Sequence, residues 1–220
     1  MSQASLVEAR PVGVLGLQGD FDAHRRAFEE AGVPSRVVRF PRQLDDLNGL
    51  VLPGGESTTL VKLMRDMGFV EEIRRFHDSG RPIYGTCAGA ILMAARVMNP
   101  VQFSLGLIDI DIERNAYGRQ RESFETGRGR ARGSLARAWN GASPSRSDQL
   151  ELVLIRAPRI ARCGPEVEIL VTHQTMSGNE EPVLVRQGGL LAGTFHPEMG
   201  PDRRIHRYFG EMAHATLQPV

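Results

Sequence analysis

Hydrophobic and polar positions follow two grammars along this chain. In the first, up to about Asn99, short apolar runs alternate with stretches of helical spacing. The runs are VGVLGL (12–17), SRVVRF (35–40), GLVLPGG (49–55) and PIY (82–84). Between them, 22–31 places Ala23, Ala27 and Ala31 on one helical stripe with Phe28 beside it. The stretches 57–67 and 69–79 read as helices stopped by Gly68 and Gly80, and 88–97 is rich in Ala, Leu and Met. Strands alternating with helices of about ten residues predict βαβ units, an α/β class and a mostly parallel sheet with helices on both faces.

After Asn99 the grammar changes. LIDIDIERN (107–115) alternates apolar and charged residues, as a strand with one wet face does. LELVLIRA (150–157), EVEILVTH (166–173), EPVLVRQ (181–187) and LLAGTFH (190–196) follow, several joined by short Gly-bearing turns. They predict antiparallel hairpins at the edge of the sheet, with a last helix over 202–215. One domain spanning 10–218 accommodates both halves. Within it, GRGRARGSLARAWNGASPSRS (127–147) holds five arginines, no acid and the only tryptophan. Such a composition buries little, and predicts a flexible Arg/Gly/Ser-rich surface insertion.

Composition narrows the function classes. A chain of 220 residues that is 41% hydrophobic can build a proper core. A net charge of +1 provides no field to gather nucleic acid or an anionic membrane surface. No apolar run approaches the length of a membrane span, and MSQASLVEARP lacks the basic start and apolar centre of a signal peptide. Two cysteines, Cys87 and Cys163, are too few for a disulfide framework, which points to the cytoplasm.

The candidate chemistry centres on GTCAG (85–89). A strand ending near Tyr84 and a helix starting near Ala88 leave Cys87 on a very tight connection, flanked by Gly85 and Gly89. This is the thiol counterpart of the G-x-S-x-G nucleophile elbow, which thrusts its side chain out at the carboxyl edge of a sheet. Cys163, in ARCGPE, has no such context. A nucleophile needs a base, and the base an orienting group. Of the six histidines, His24, His77, His206 and His214 fall on polar helical stretches where a solvated side chain is expected, and His173 follows a strand. His196 differs. It ends a strand and opens H-P-E, where Pro197 fixes the turn and Glu198 can fold back on one ring nitrogen, leaving the other for the thiol. PGGES (53–57) supplies adjacent glycines whose peptide N–H groups can converge on an oxyanion; the Gly55 and Ala88 amides are the expected donors. No Gly-Lys-Ser/Thr follows, which argues against a phosphate loop. No metal-ligand spacing appears, so neither metal nor cofactor is expected.

Together GVLGLQGDFDAH, LPGGESTTL, GTCAGAILMA, GLIDIDIERNAYGRQRESFE, LIRAPRI and TFHPE resemble the class I, triad-type glutamine amidotransferases. Within them, the LQG start, ERNAYGRQ with SFE, and IRAP resemble the glutaminase-subunit family of pyridoxal 5'-phosphate synthase. The resemblance implies a three-layer sandwich with Cys87 as nucleophile, His196 as base and Glu198 as its orienter. It further implies that Gly55, Glu56, Ser57, Arg114, Ile155 and Arg156 hold L-glutamine. It also implies a (β/α)8 barrel synthase partner, commonly in a complex of twelve of each subunit. The span between SFE and IRAP is longer here than is usual in the family. Rival readings keep the same elbow: a glutaminase subunit for imidazole glycerol phosphate synthase or another amidotransferase, a γ-glutamyl hydrolase, or a non-catalytic scaffold.

Overall fold

Strands with apolar side chains on both faces must be covered on both, and that requirement organises the molecule. The computed structural model describes residues 10–114, 124–140, 148–175 and 178–215. In chain order the elements are β1 (Val12–Leu15), α1 (Phe21–Glu30), β2 (Ser35–Val38), β3 (Gly49–Leu52), α2 (Ser57–Asp66), α3 (Phe69–Asp78), β4 (Ile83–Thr86), α4 (Ala88–Met93), β5 (Ala94–Met98) and β6 (Ile108–Glu113). Then come β7 (Phe124–Ala131), α5 (Gly133–Asn140), β8 (Gln149–Ile155), β9 (Arg159–Cys163), β10 (Glu168–Gln174), β11 (Glu180–Gln187), β12 (Leu190–Gly193) and α6 (Arg204–Ala215).

The main sheet has nine strands in the order β2-β1-β3-β4-β12-β11-β10-β7-β8. The first five run parallel; from β12 onward each neighbour is antiparallel. Alternation sorts the side chains into two cores. Leu15, Leu50, Leu52, Ile83, Leu190 and Ala192 meet α2, α3 and α4 on one face. Val12, Val14, Val51, Tyr84 and Leu191 meet α1, α5 and α6 on the other. Each large side chain fully buried in this way, such as Phe28, Phe69, Phe76 or Phe209, contributes about 1.5–3 kcal/mol. The parallel neighbours β3, β4 and β12 matter most. Their carboxyl ends run into PGGES, GTCAG and TFHPE, so sheet order alone brings the three motifs together.

Three expectations are corrected. The helix expected over 88–97 stops at Met93: Ala94 leaves helical geometry at φ −58°, ψ 148°, and β5 pairs with β6 in a second, three-stranded sheet, β5-β6-β9. Tertiary pairing here overrides the helix propensity of an Ala-rich run. The flexible insertion expected over 127–147 is a strand and a helix for most of its length. In β7, Arg128 and Arg130 face solvent while Gly129 and Ala131 are buried, and the strand is paired on both sides, by β8 and β10. In α5, Leu135 is fully buried and Trp139 packs beneath the Arg204 guanidinium, 4.2 Å from its ring centroid. Residues 141–147 lie outside the described residues. Finally, His24 and His206, expected in solvent, are both 0% exposed, because α1 and α6 pack against each other on the same face of the sheet.

Candidate active site

A single residue separates β4 from α4, and it is Cys87. Its backbone sits at φ 48°, ψ −102°, in the region L-residues avoid. Two hydrogen bonds hold it there: the Cys87 N–H donates to the Gly193 carbonyl on β12 at 2.8 Å, and the Ile91 N–H donates to the Cys87 carbonyl at 3.1 Å, starting the helix. The close approach of that helix requires Gly89, where a Cβ would stand 1.9 Å from the Leu52 carbonyl oxygen. The residue is 8% exposed and lies beside PGGES.

His196 is placed from the opposite side. Its N–H donates to the Val153 carbonyl on β8 at 2.8 Å, and its Nδ1 meets Glu198 Oε1 at 2.8 Å across Pro197. With Nδ1 engaged by Glu198, Nε2 is the nitrogen left for Cys87. A Cβ on Gly54 would stand 2.5 Å from His196 Cε1 and 3.4 Å from Cys87 Cβ, so only glycine lets the loop pass over both. Burial alone would discharge His196, but hydrogen bonds and charge from Cys87 and Glu198 outweigh it and raise its pKa to about 10. Burial likewise opposes charge on Glu198, yet the imidazoles of His24 and His196 hold its pKa down at about 2. The arrangement is an ionised carboxylate, an imidazole oriented by it and a thiol close by under the same loop, which suits nucleophilic attack with proton transfer.

The PGGES loop lies against the elbow. Gly55 takes φ 146°, and Gln18 Oε1 accepts from the Glu56 N–H at 3.0 Å, fixing the loop from the QGD turn. Ala88 is the first residue of α4, so its amide is among those a helix leaves without an internal partner. The Glu56 carboxylate caps α2, accepting from the Thr58 N–H at 3.1 Å and the Thr59 N–H at 2.6 Å. Against some desolvation, those bonds bring its pKa to about 2. Arg114 reaches the same corner, 3.6 Å from Glu56 Oε1 and 3.3 Å from Thr58 Oγ1. The buried Ser57 hydroxyl donates to Gln102 Oε1 at 3.0 Å. Ile155 ends β8 two residues beyond Val153, and Arg156 follows it, exposed, at φ 44°. The NAYGRQRES run (115–123) lies outside the described residues.

His24, read from the sequence as solvated, stands against the site, and the QGD turn brings Asp20 there. Asp20, His196 and Glu198 offer oxygen and nitrogen atoms all within 4.8 Å of one another, the one group among the described residues with the makings of a metal site. His24 lies 3.3 Å from Glu198 Oε2. Its burial was legible in principle: His24, Ala27 and Phe28 form an i, i+3, i+4 stripe, the face α1 turns inward. Cys163 is on β9, part-buried against the core, and burial raises its pKa; His173 Nδ1 meets the Arg128 carbonyl at 3.2 Å. Neither joins the cleft.

Comparison with known proteins agrees over most of the chain. A model of the SNO glutamine amidotransferase family matches residues 14–215. A Thermotoga maritima protein named pyridoxal 5'-phosphate synthase subunit PdxT is 46% identical over 201 residues, covering 91% of this chain and 98% of that one. A Koribacter versatilis protein of the same name is 48% identical, covering 91% and 94%. Among solved structures, one described as a glutamine amidotransferase superimposes with a TM-score of 0.77 at 41% identity, covering 92% of this chain and 98% of that one. PurLQS from Thermotoga maritima, at 16% identity and a TM-score of 0.65 over 94% and 97% of the chains, shares the fold.

Proposed function

Because the chain belongs to the SNO glutamine amidotransferase family, we propose that it is the glutaminase subunit of a pyridoxal 5'-phosphate synthase, hydrolysing L-glutamine to L-glutamate and ammonia. The observation that carries this reading is Cys87, held at φ 48° on the elbow beside an imidazole whose other nitrogen meets a buried carboxylate at 2.8 Å.

The chemistry follows from the residues. The Cys87 sulfur adds to the side-chain carbonyl carbon of glutamine, and the carbonyl oxygen takes up negative charge. The Gly55 and Ala88 amides receive that charge; one such donor is worth about 2.7–4 kcal/mol in the barrier. His196 gives its proton to the departing nitrogen, the C–N bond breaks, and ammonia leaves a γ-glutamyl thioester on Cys87. The neutral imidazole then takes a proton from water as it attacks the thioester. Glutamate is released and the thiol is restored. Glu198 keeps Nδ1 protonated throughout. Free glutamine also carries an α-carboxylate and an α-ammonium group. Arg114 and Arg156 suit the first, and Glu56 the second, with Gly55, Ser57 and Ile155 forming the rest of the pocket.

Ammonia released into water is protonated and lost to the reaction that needs it. A barrel-shaped synthase subunit covering the cleft, in a cytoplasmic complex of twelve of each, keeps that ammonia out of bulk water. Intact-mass measurement of the assembled complex after treatment with a glutamine-like alkylating agent tests the assignment. One adduct is expected at Cys87 and none in Cys87→Ala; an unmodified Cys87 overturns it. His196→Asn is expected to abolish ammonia release while leaving binding of the synthase intact, and normal turnover in that variant would remove His196 from its role.

A further inference from the structure

Glu198 has two carboxylate oxygens, and the His196 contact uses only one. Oε2 is fully buried and receives no well-formed hydrogen bond, yet His24 Nε2 stands 3.3 Å from it. His24 is itself fully enclosed: Nε2 is also 3.0 Å from Thr86 Oγ1, and Nδ1 is 3.1 Å from His206 Nε2 on α6. The far nitrogen of His206, Nδ1, is buried and has no partner among the described residues. A line of polar atoms therefore runs from α6 through α1 to the orienting carboxylate, inside an otherwise apolar core containing Phe28, Tyr84 and Phe209.

Two neutral arrangements of protons are possible on this pair. In one, His24 carries its proton on Nδ1 and gives it to His206 Nε2. His206 must then carry its own proton on the buried, unpartnered Nδ1, and His24 turns a lone pair toward the Glu198 carboxylate. In the other, His206 Nε2–H donates to His24 Nδ1, and His24 Nε2–H points at Thr86 Oγ1 with Glu198 Oε2 beside it at 3.3 Å. The second places a proton where the negative charge is and leaves only one acceptor unmatched; a buried orphan donor is the rarer and costlier defect. The groups facing His24 are Asp20 on its own helix, Tyr84 and Thr86 on β4, His196 and Glu198 after β12, and His206 with Arg203 from the α6 side. Burial keeps both His24 and His206 neutral, aided by the neighbouring imidazoles.

We propose that His24, backed by His206, is a positioning residue for the glutaminase reaction, holding its Nε2–H dipole against the second oxygen of Glu198 and so fixing the carboxylate that orients His196. The proposal rests on the reading of Glu198 as that orienter. It also couples the elbow to the helical layer, since Thr86 immediately precedes Cys87.

The test is glutamate release by the full chain bound to its barrel synthase, from pH 5 to 9, for the unsubstituted protein, His24→Leu, His24→Gln and Glu198→Gln. Loss of an outer partner of this kind lowers activity about 10–100-fold. We expect that loss in kcat for His24→Leu, with KM for glutamine changed less than about twofold, because His24 does not touch the substrate. The acidic limb of the kcat profile should move to higher pH, since a carboxylate deprived of its donor takes up a proton more readily. His24→Gln, whose amide can still offer an N–H, should recover much of the loss. A His24→Leu enzyme with unchanged kcat and pH profile, or a His24→Gln enzyme no better than His24→Leu, overturns the proposal. Unchanged turnover in Glu198→Gln would instead overturn the orienter reading, and this proposal with it. Should the leucine variant not fold, the tautomers of the unsubstituted chain decide: long-range ¹⁵N–¹H spectra should find Nε2–H on both His24 and His206, and Nδ1–H on His24 refutes the relay.

Discussion

At Cys87 the backbone accepts a conformation that costs roughly 1–3 kcal/mol, and the cost is met by its neighbours. The Gly193 carbonyl, the first turn of α4 and the missing side chain of Gly89 together leave the chain no other path. This much was legible, because G-x-C-x-G between a strand and a helix has a steric meaning that sequence spacing conveys. The partnership of His196 with Glu198 was legible for a similar reason: one intervening proline leaves few geometries. What spacing could not convey was the environment of His24 and His206. Each was read by the polar helical stretch around it rather than by the inward stripe it belongs to. Gly89→Ala puts a methyl carbon 1.9 Å from the Leu52 carbonyl oxygen. It should therefore cost about 1–3 kcal/mol or more in urea unfolding and remove glutaminase activity with it. A variant with wild-type stability and turnover would show that the elbow is more pliable than described.

At the scale of elements, the parallel half of the sheet declared itself through unbroken apolar runs, and β1 to β4 fall where those runs are. The antiparallel half was harder. Over 127–131 of β7 the buried positions are Gly129 and Ala131, too small to register as an apolar alternation, while the exposed arginines dominate the composition. β5 was hidden by residues that favour a helix in isolation and pair as a strand only because β6 lies alongside. Two element-level predictions follow from the packing. Leu135→Ala, which empties a fully buried site under α5, should lower stability by about 2–5 kcal/mol, measured by urea unfolding; a change below about 0.5 kcal/mol would mean that α5 is not docked as described. Glu56→Ala removes the cap of α2 and should cost about 0.5–2 kcal/mol, read from the thermal midpoint. Because Glu56 is also the group proposed to meet the α-ammonium of glutamine, KM should rise in the same variant.

For the whole molecule, no helix among the described residues is long and apolar enough to cross a membrane, and the two cores hold the nine-stranded sheet between layers of helix, with the three-stranded sheet against one of them. That design buries an ionic site at the sheet's carboxyl edge and makes folding sensitive to pH. His24 and His206 stay neutral in the fold below their ordinary value of 6.5, so the unfolded chain binds more protons there and stability falls as pH drops below about 6.5, by up to about 1.4 kcal/mol per pH unit for each. Glu198, held at about 2 against an ordinary 4.5, adds a stabilisation present above pH 4.5 that is lost as pH falls toward 2. His196, raised to about 10, acts on the other side: its contribution is complete below pH 6.5 and is lost as pH rises through 10. Urea midpoints should therefore peak near neutrality and be lower at pH 5, and a midpoint at pH 5 equal to that at pH 7 would contradict the neutral, buried histidine pair. The most direct measurement of the central claim is glutamate released from glutamine by the complex with the synthase subunit, compared between the unsubstituted chain and Cys87→Ala. Sustained release by the first and none above background by the second is the expected result; equal release by both would mean that Cys87 is not the nucleophile.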